Sequence, residues 1–325
     1  MDLSIISVNF NSLNYLRECV ASIYQWTRGI SFEVIIVDNA SPSRDIDRLK
    51  DEFPQIKLVK SSKNLGFAGA NNLGFKQSSG QWLVFLNPDT KLISPALNEM
   101  LERGESVADL GIAGCRLLNS DRSIQTSSIM NFPGILNSML QLESLRLRWP
   151  KLCGIGPLFS TSPEPVHVEA ISGACMLVKR EIFEQVAMFS EDYFMYSEDL
   201  DLCYKTTSAG LRNVHIGQAE IVHYGGTSAI PEWQNVMKTQ AELKFCEKNY
   251  GQFYALLFRN ALAINAMARL TAIAILRSFT GGLAPKQRLD SARARWSTIL
   301  RTLLARDQSA TSRLSKGAGY GIPSA

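Results

Sequence analysis

Residues 83 to 90 read LVFLNPDT, four apolar residues running into Asn87-Pro88-Asp89. Such a run suits a strand buried on both faces; proline stops it, and a carboxylate then stands at its tip. Either this is an ordinary polar exit from a sheet, or the sheet delivers Asp89 to something cationic. Other polar clusters also follow apolar runs: VNFN carries Asn9 and Asn11, VDNAS carries Asp38 and Asn39, and NLGFAGANNLG carries Asn64, Gly66, Gly69 and Asn72. Asn and Asp cap helices and make turns, so each cluster alone says little. A further acidic group, Glu198, Asp199 and Asp201, opens a helical pattern in YSEDLDLCYK. On a helix Asp199 and Asp201 point about 200° apart and cannot both face one site. Asp199 shares a face with Leu202 and Cys203, where the helix meets the protein. The bland alternative is three acids favoured by the positive end of a helix.

The elements that must position these groups follow from periodicity. LSIISVNF, FEVIIVD, IKLVKS, WLVFLN and LGIAGCRLL read as strands. Between most of them lie helical stretches, such as Leu13, Leu16, Cys19, Val20 and Ile23 at three- and four-residue spacing. Alternating strands and helices, with strands apolar on both faces, predict an α/β fold with a mostly parallel sheet flanked by helices. Ligands of such sheets bind at the carboxyl ends of the strands, which is where the polar clusters stand. The small residues of NLGFAGANNLG allow close backbone approach and offer a helix N-terminus to an anion. Their spacing meets neither the dinucleotide nor the P-loop fingerprint. Residues 121–165, with several Pro and Gly, predict loops and short helices. VHVEAISGACMLVKR predicts a strand, AEIVHY another, and Glu232 to Tyr250 a helix.

Hydrophobic residues make up 46% of the 325 and charged ones 20%, as in soluble globular proteins. Met1 and Asp2 lead directly into the first predicted strand, so no signal peptide is expected. The six cysteines are scattered without a C-x-x-C and predict buried, reduced thiols in a cytosolic protein. The net charge of +4 is unevenly distributed. Residues 251–325 hold eleven Lys/Arg against two Asp/Glu, a net of +9, which leaves −5 for the first 250. A basic tail of this kind suggests its own anionic partner.

Taken in order, VNFN, VDNAS, NLGFAGANN, NPDT, SGACMLVKR, EDLDLCYK and VHYGG resemble the family 2 glycosyltransferases, in particular the rhamnosyltransferase-like branch. The resemblance covers roughly residues 3 to 250. It implies a GT-A fold and inverting transfer of a sugar from a nucleotide diphosphate to an acceptor hydroxyl. By position it makes Asp38 the acceptor for the N3–H of uracil or thymine, a role that suits a carboxylate, which only accepts. It places Asn9, Asn64, Gly66, Asn72 and Asn87 at the nucleotide and makes Asp89 and His223 ligands of a divalent cation, Mg²⁺ or Mn²⁺. Asn87 stands where the better-known Asp-x-Asp has its first acid, one negative charge fewer. Asp199 matches the base that takes the acceptor proton, with Glu198 beside it to orient it or the acceptor. Upstream, Ser172 and Gly173 are small residues that suit backbone close to the donor sugar or acceptor, and they are expected at that pocket. Nothing comparable supports His167 or His215.

The expected plan is a catalytic domain over 1–250, with halves at about 1–118 and 119–250, a basic helical extension over 251–310, and a disordered tail over 311–325. Arg259, Asn260, Asn265 and Arg269 interrupt the apolar stretch 253–276, which argues against a spanning helix. From Lys286 onward, Leu289, Ala292, Trp296, Ile299, Leu300 and Leu303 share one face among arginines, which suits an anionic membrane surface. Packing on the catalytic domain or at a homodimer seam is the other reading of that face. The partners expected are a dTDP- or UDP-sugar donor and a glycan or lipid-linked acceptor, and the setting cytoplasmic or peripheral on the inner membrane face. No nucleic-acid-binding module is recognisable. A non-catalytic sugar-nucleotide-binding scaffold keeps the same fold, but Asp38, Asp89, Asp199 and His223 are all present. A nucleotidyltransferase calls for a Gly-rich basic loop after the first strand, and NFNSLNYLREC has none.

Overall fold

The computed structural model describes residues 1–43, 45–139, 160, 162, 164–225, 231–280 and 286–305. The chain divides into two compact units, Met1–Phe132 with Leu142–Thr227, and Pro133–Gln141 with Ser228–Ala325.

In the first unit, β1 (Leu3–Asn9), β2 (Phe32–Asp38), β3 (Lys57–Lys60) and β4 (Trp82–Leu86) form a parallel half-sheet in the order β3-β2-β1-β4. Helices α1 (Leu13–Trp26), α2 (Ile46–Glu52) and α3 (Gly66–Phe75) make the crossovers. Both β1 and β4 are buried along their whole length, which explains their unbroken apolar runs. Under one face lie Leu16, Val20 and Ile23 of α1 against Ile5, Val34, Ile36 and Val84; each such side chain contributes about 1.5–3 kcal/mol by leaving water. Phe85 sits on the other face, 4.8 Å centroid to centroid from both Phe183 and Phe189.

The remaining strands of this sheet run β10-β6-β11-β5 beyond β4, with β8 also on β11. Here β5 is Thr90–Leu92, β6 Leu110–Leu118, β8 Val166–Val168, β10 Cys175–Lys179 and β11 Arg212–His223. Helices α4 (Ala96–Glu105), α6 (Arg180–Gln185) and α7 (Glu198–Ser208) belong to the same half. VHVEAISGACMLVKR, expected to be one strand, is three. β8 pairs with β11, β9 (Ala170–Ile171) with β7 (Ile129–Met130), and β10 runs antiparallel between β4 and β6. Apolar alternation is the same in each piece and does not tell which neighbour a strand will take. The strand expected at AEIVHY is longer, beginning at Arg212, with a register shift between Ile216 and Glu220. The five described cysteines are free and buried.

The second unit packs α5 (Ile135–Met139), α8 (Pro231–Tyr250), α9 (Gln252–Thr280) and α10 (Lys286–Leu304). Its core joins Cys246 of α8, Phe258, Leu262, Ala266 and Ile273 of α9, and Trp296, Ile299 and Leu303 of α10. The arginines of α9 tie it to α10. Arg259 Nε donates to the Leu303 carbonyl at 2.6 Å, Arg269 lies 4.6 Å over the Trp296 ring, and Arg277 pairs with Asp290. The apolar face of α10 expected to meet a membrane is therefore covered by α9 within the unit. Its periodicity is real, but periodicity does not say what covers a face. Gly281, Gly282 and Pro285, and the tail 311–325, lie outside the described residues.

Candidate active site

The parallel register sets Asn9 directly beside Asp38 at the carboxyl ends of β1 and β2. Asn9 Nδ2 donates to Asp38 Oδ1 at 2.9 Å and to Ser41 Oγ at 3.0 Å, and its Oδ1 accepts from Ser12 N–H and Oγ–H. Both ends of the Asn9 side chain are thus used inside the protein, so Asn9 orients Asp38. Next to it, Asn39 Nδ2 donates to Asn64 Oδ1 at 2.9 Å and to the Gly66 carbonyl, and its Oδ1 accepts from Leu65 N–H. Asn64 also caps Gly66 N–H through Oδ1. Gly66 has φ +73°, and a β-carbon there would stand 2.3 Å from the Phe194 carbonyl oxygen. Its freedom thus serves a close approach to the 190s loop. Asn72 is turned the same way, donating to the Phe189 carbonyl and Glu191 Oε1 and accepting from Phe189 N–H.

The exit of β4 is held from two sides. Asn87 N–H donates to the Ala174 carbonyl at 2.9 Å, which carries the antiparallel β4–β10 pairing one step past Leu86 and Cys175. Thr90 then starts β5, whose pairing sets Thr90 opposite His223 at the end of β11. That register brings His223 Nε2 to 3.4 Å from Asp89 Oδ1 and 3.4 Å from Asn87 Nδ2. Gln125 contacts His223 Nδ1 through Oε1 at 2.8 Å, while its Nε2 is committed to Asn119 Oδ1 and the His223 carbonyl, both at 3.1 Å. An amide oxygen only accepts, so the network assigns the proton to Nδ1 and leaves the Nε2 lone pair facing Asp89. A histidine pinned this way through its other nitrogen has the form of a metal ligand. No group of three or more His, Cys, Asp or Glu able to hold a metal occurs among the described residues. The donors present, one carboxylate oxygen and one imidazole nitrogen, fit a divalent cation completed by phosphate oxygens and water.

Asp199 stands in the first turn of α7. Its Oδ2 accepts from Gly173 N–H at 2.9 Å and its Oδ1 from Leu200 N–H at 2.9 Å. A β-carbon on Gly173 would lie 3.3 Å from Asp199 Oδ2, so glycine allows this approach. Ser172 Oγ accepts from Ala174 N–H at 3.3 Å and steadies the same turn. Asp89 and Asp199 are therefore linked through a short path along the rim, Asp89 to Asn87, across to Ala174, and by Gly173 to Asp199. Glu198 is 5% exposed, and its Oε2 has no hydrogen-bond partner among the described residues. Burial, and then the neighbouring Asp199 charge, push its carboxyl well above the usual range. Tyr196 and Ser197, at φ +70° and +64°, put two consecutive left-handed non-glycine residues just before this pair, backbone strain of a kind that clusters at active sites. Asp201 is fully buried, bonded to Ser190 Oγ at 2.6 Å and Tyr193 OH at 3.2 Å, and anchors the preceding loop.

The structure thus gathers Asn87, Asp89, His223, Ser172, Gly173, Glu198 and Asp199 at one corner and Asn9, Asp38 and Asn64 at another, both at the carboxyl ends of the parallel strands. Asn72 and Gly66 instead hold the 189–194 loop. Sequence reasoning missed Gln125, which sits in SIQTSS with no pattern to distinguish it, and the strained Tyr196-Ser197 pair, whose residue types do not announce φ > 0.

The mostly parallel sheet, its strand order and its flanking helices define a GT-A architecture. The profile of glycosyl transferase family 2 matches residues 4–187, more than half of the chain, and the protein belongs to that family: it is a glycosyltransferase. The matched span ends before Asp199 and His223. Among relatives, the chain is 28% identical over 67% of its length to the O-antigen biosynthesis protein RfbC of Myxococcus xanthus, of which it spans only 17%. It is 27% identical over 68% of its length to an N-acetylglucosaminyl-diphospho-decaprenol L-rhamnosyltransferase of Mycobacterium tuberculosis, of which it spans 76%. In three dimensions it resembles the mannosyltransferase PcManGT of Pyrobaculum calidifontis in complex with GDP-Man and Mn²⁺, with a TM-score of 0.60 at 16% identity over 97% of this chain and 88% of that one.

Proposed function

We propose that this protein transfers a sugar, with inversion, from a dTDP- or UDP-sugar to a hydroxyl of a glycan or lipid-linked acceptor. The observation that carries the reading is the placement of Asp199, held by the Gly173 amide, on the same rim as the Asp89–His223 pair. Asp38, oriented by Asn9, accepts the N3–H of the base, which disfavours cytosine. Asp89 and His223 would hold a divalent cation, whose charge when bound offsets that of the departing diphosphate. Asp199 takes the acceptor proton as the hydroxyl oxygen bonds to the anomeric carbon. The bond from that carbon to the diphosphate oxygen breaks, and the nucleoside diphosphate leaves with the electron pair. Burial and the Asp199 charge raise the Glu198 carboxyl well above the usual range, which disfavours a second negative charge beside the attacking oxygen. A rhamnose donor is favoured by the family branch and by the rhamnosyltransferase among the relatives. The same relative, which acts on a diphospho-decaprenol substrate by name, favours a lipid-linked acceptor, and reaching such an acceptor would bring the protein to a membrane surface.

The test is a panel of dTDP- and UDP-sugars, with Mn²⁺ or Mg²⁺, followed by calorimetry and donor hydrolysis. Saturable binding of a dTDP- or UDP-sugar with metal-dependent turnover is the expected result. Binding with no turnover on any acceptor would make the protein a sugar-nucleotide scaffold.

A further inference from the structure

The second unit presents an apolar surface that its own packing leaves uncovered. Along α9, Phe253, Leu256, Leu257, Ile264, Met267 and Ile275 are all exposed, from 43% at Leu257 to 75% at Phe253. At about 100° per residue they fall in an arc roughly 100° wide and about 33 Å long, opposite Phe258, Leu262, Ala266 and Ile273. Asn260 and Thr271 share the arc, and no charged residue does. The three arginines of the helix all lie toward α10, where Leu303, Trp296 and Asp290 engage them. Exposed apolar surface of this extent marks an interaction site.

We infer that the outer face of α9 is the membrane-contact surface of this protein, lying flat in the interface of an anionic bilayer. Charge complementarity selects the occupant. Residues 251–325 carry a net +9, and Arg293, Arg295 and Arg301 of the adjoining α10 are exposed. A second copy would bring two such charges together, whereas acidic lipid headgroups neutralise them. By length and composition, Gln252–Ser278 also qualifies as a spanning helix. Its inner face, however, packs on α10 and carries Arg259 and Arg269 in mid-helix, so lipid on all sides would strip both of their partners. The surface assigned is thus α9, in place of the α10 stripe that the sequence pattern suggested. The inference rests on the packing of the second unit and stands apart from the transferase reading.

The experiment is flotation of the full chain with phosphatidylglycerol/phosphatidylethanolamine vesicles and with phosphatidylcholine vesicles. Recovery with the anionic vesicles alone is expected, weakening as salt rises. The variant L256S/I264S/M267S alters only exposed side chains. It should bind at least about tenfold more weakly while keeping the wild-type circular dichroism and thermal midpoint. R293A/R301A should flatten the salt dependence. Nucleotide binding without vesicles, measured in parallel, should be the same in all three proteins. The inference is overturned if the triple variant floats like wild type or if wild type binds no vesicle. It is equally overturned if bound protein resists alkaline carbonate, as a spanning helix would. A triple variant that converts a dimer to a monomer with unchanged flotation would assign the face to a second copy.

Discussion

At the ends of β1 and β2, polar groups are used on one another. Asn9 is bonded at both ends of its amide and Asn39 and Asn64 brace the next loop, while Asn72, farther along α3, is engaged with Phe189 and Glu191. At the β4–β11 corner the same kinds of residue leave chemistry available. His223 is held through Nδ1 so that Nε2 is turned toward Asp89 and Asn87, Glu198 is buried with an oxygen that lacks a hydrogen-bond partner among the described residues, and Asp199 is aimed by two backbone amides. The first corner has the character of a preorganised binding surface. The second stores cost in desolvation and in the φ > 0 pair Tyr196-Ser197, which a folded protein keeps only where the surroundings enforce it. On the proposed function, one rim separates recognition, which needs rigidity, from proton transfer, which needs a carboxylate held in place by its surroundings.

The sharpest way to break this division is at Asp199. Asp199→Asn should lower transfer by about 10³-fold or more, with dTDP or UDP affinity by calorimetry within about twofold; a variant that retains most of its turnover would remove Asp199 as the base. Glu198→Gln, which keeps the shape without the charge, should lower transfer by no more than about tenfold, and a loss equal to that of Asp199→Asn would mean that the two act as a unit. Removing the lock on His223 comes next. Gln125→Leu should weaken Mn²⁺ binding in the presence of nucleotide by about 10–100-fold, read by paramagnetic resonance titration, while Gln125→Glu, which still accepts from Nδ1–H, should recover most of it.

In α3, beside the Asn9–Asp38 corner, the effects are smaller and of a different kind. Asn72→Ala should cost about 1–3 kcal/mol of stability by denaturant unfolding, from the buried partners it leaves, with donor KM unchanged; a raised KM with unchanged stability would return Asn72 to the nucleotide. The smallest effect expected belongs to a group in neither corner. His215 is fully buried, and burial, followed by the Arg116 charge, brings its ring down to about 4. Below about pH 6.5 the unfolded chain gains a proton that the folded one does not. The stability held above that pH is lost progressively as pH falls toward 4, by about 1 kcal/mol at pH 5.5. His215→Leu should remove this portion of the pH dependence of the thermal midpoint.

Much of the fold was legible because strand burial and helix periodicity are local. The runs ending at Asn9, Asp38 and Leu86 could hardly be anything but buried strands, and the polar residues after them mark the carboxyl edge. The partition of VHVEAISGACMLVKR was illegible because each piece takes its partner from elsewhere in the chain. The α10 stripe was legible as a stripe, and α9 decided what covered it. Asn72 and Gly66 carried the right types for a nucleotide site, but their roles depend on where the 189–194 loop returns.

Residue types and order alone determined the α/β class, the edge on which the polar clusters stand, and that Asp199 and Asp201 could not both face one site, since all three follow from local geometry and the pleat. Tertiary structure alone decided that β10 enters beside β4, that the pairing of β11 with β5 brings His223 to Asp89, and that Gln125 holds the ring. Those placements arise from pairings between residues 89 to 134 positions apart, where the free energy of packing, not any preference of the local chain, selects the partner.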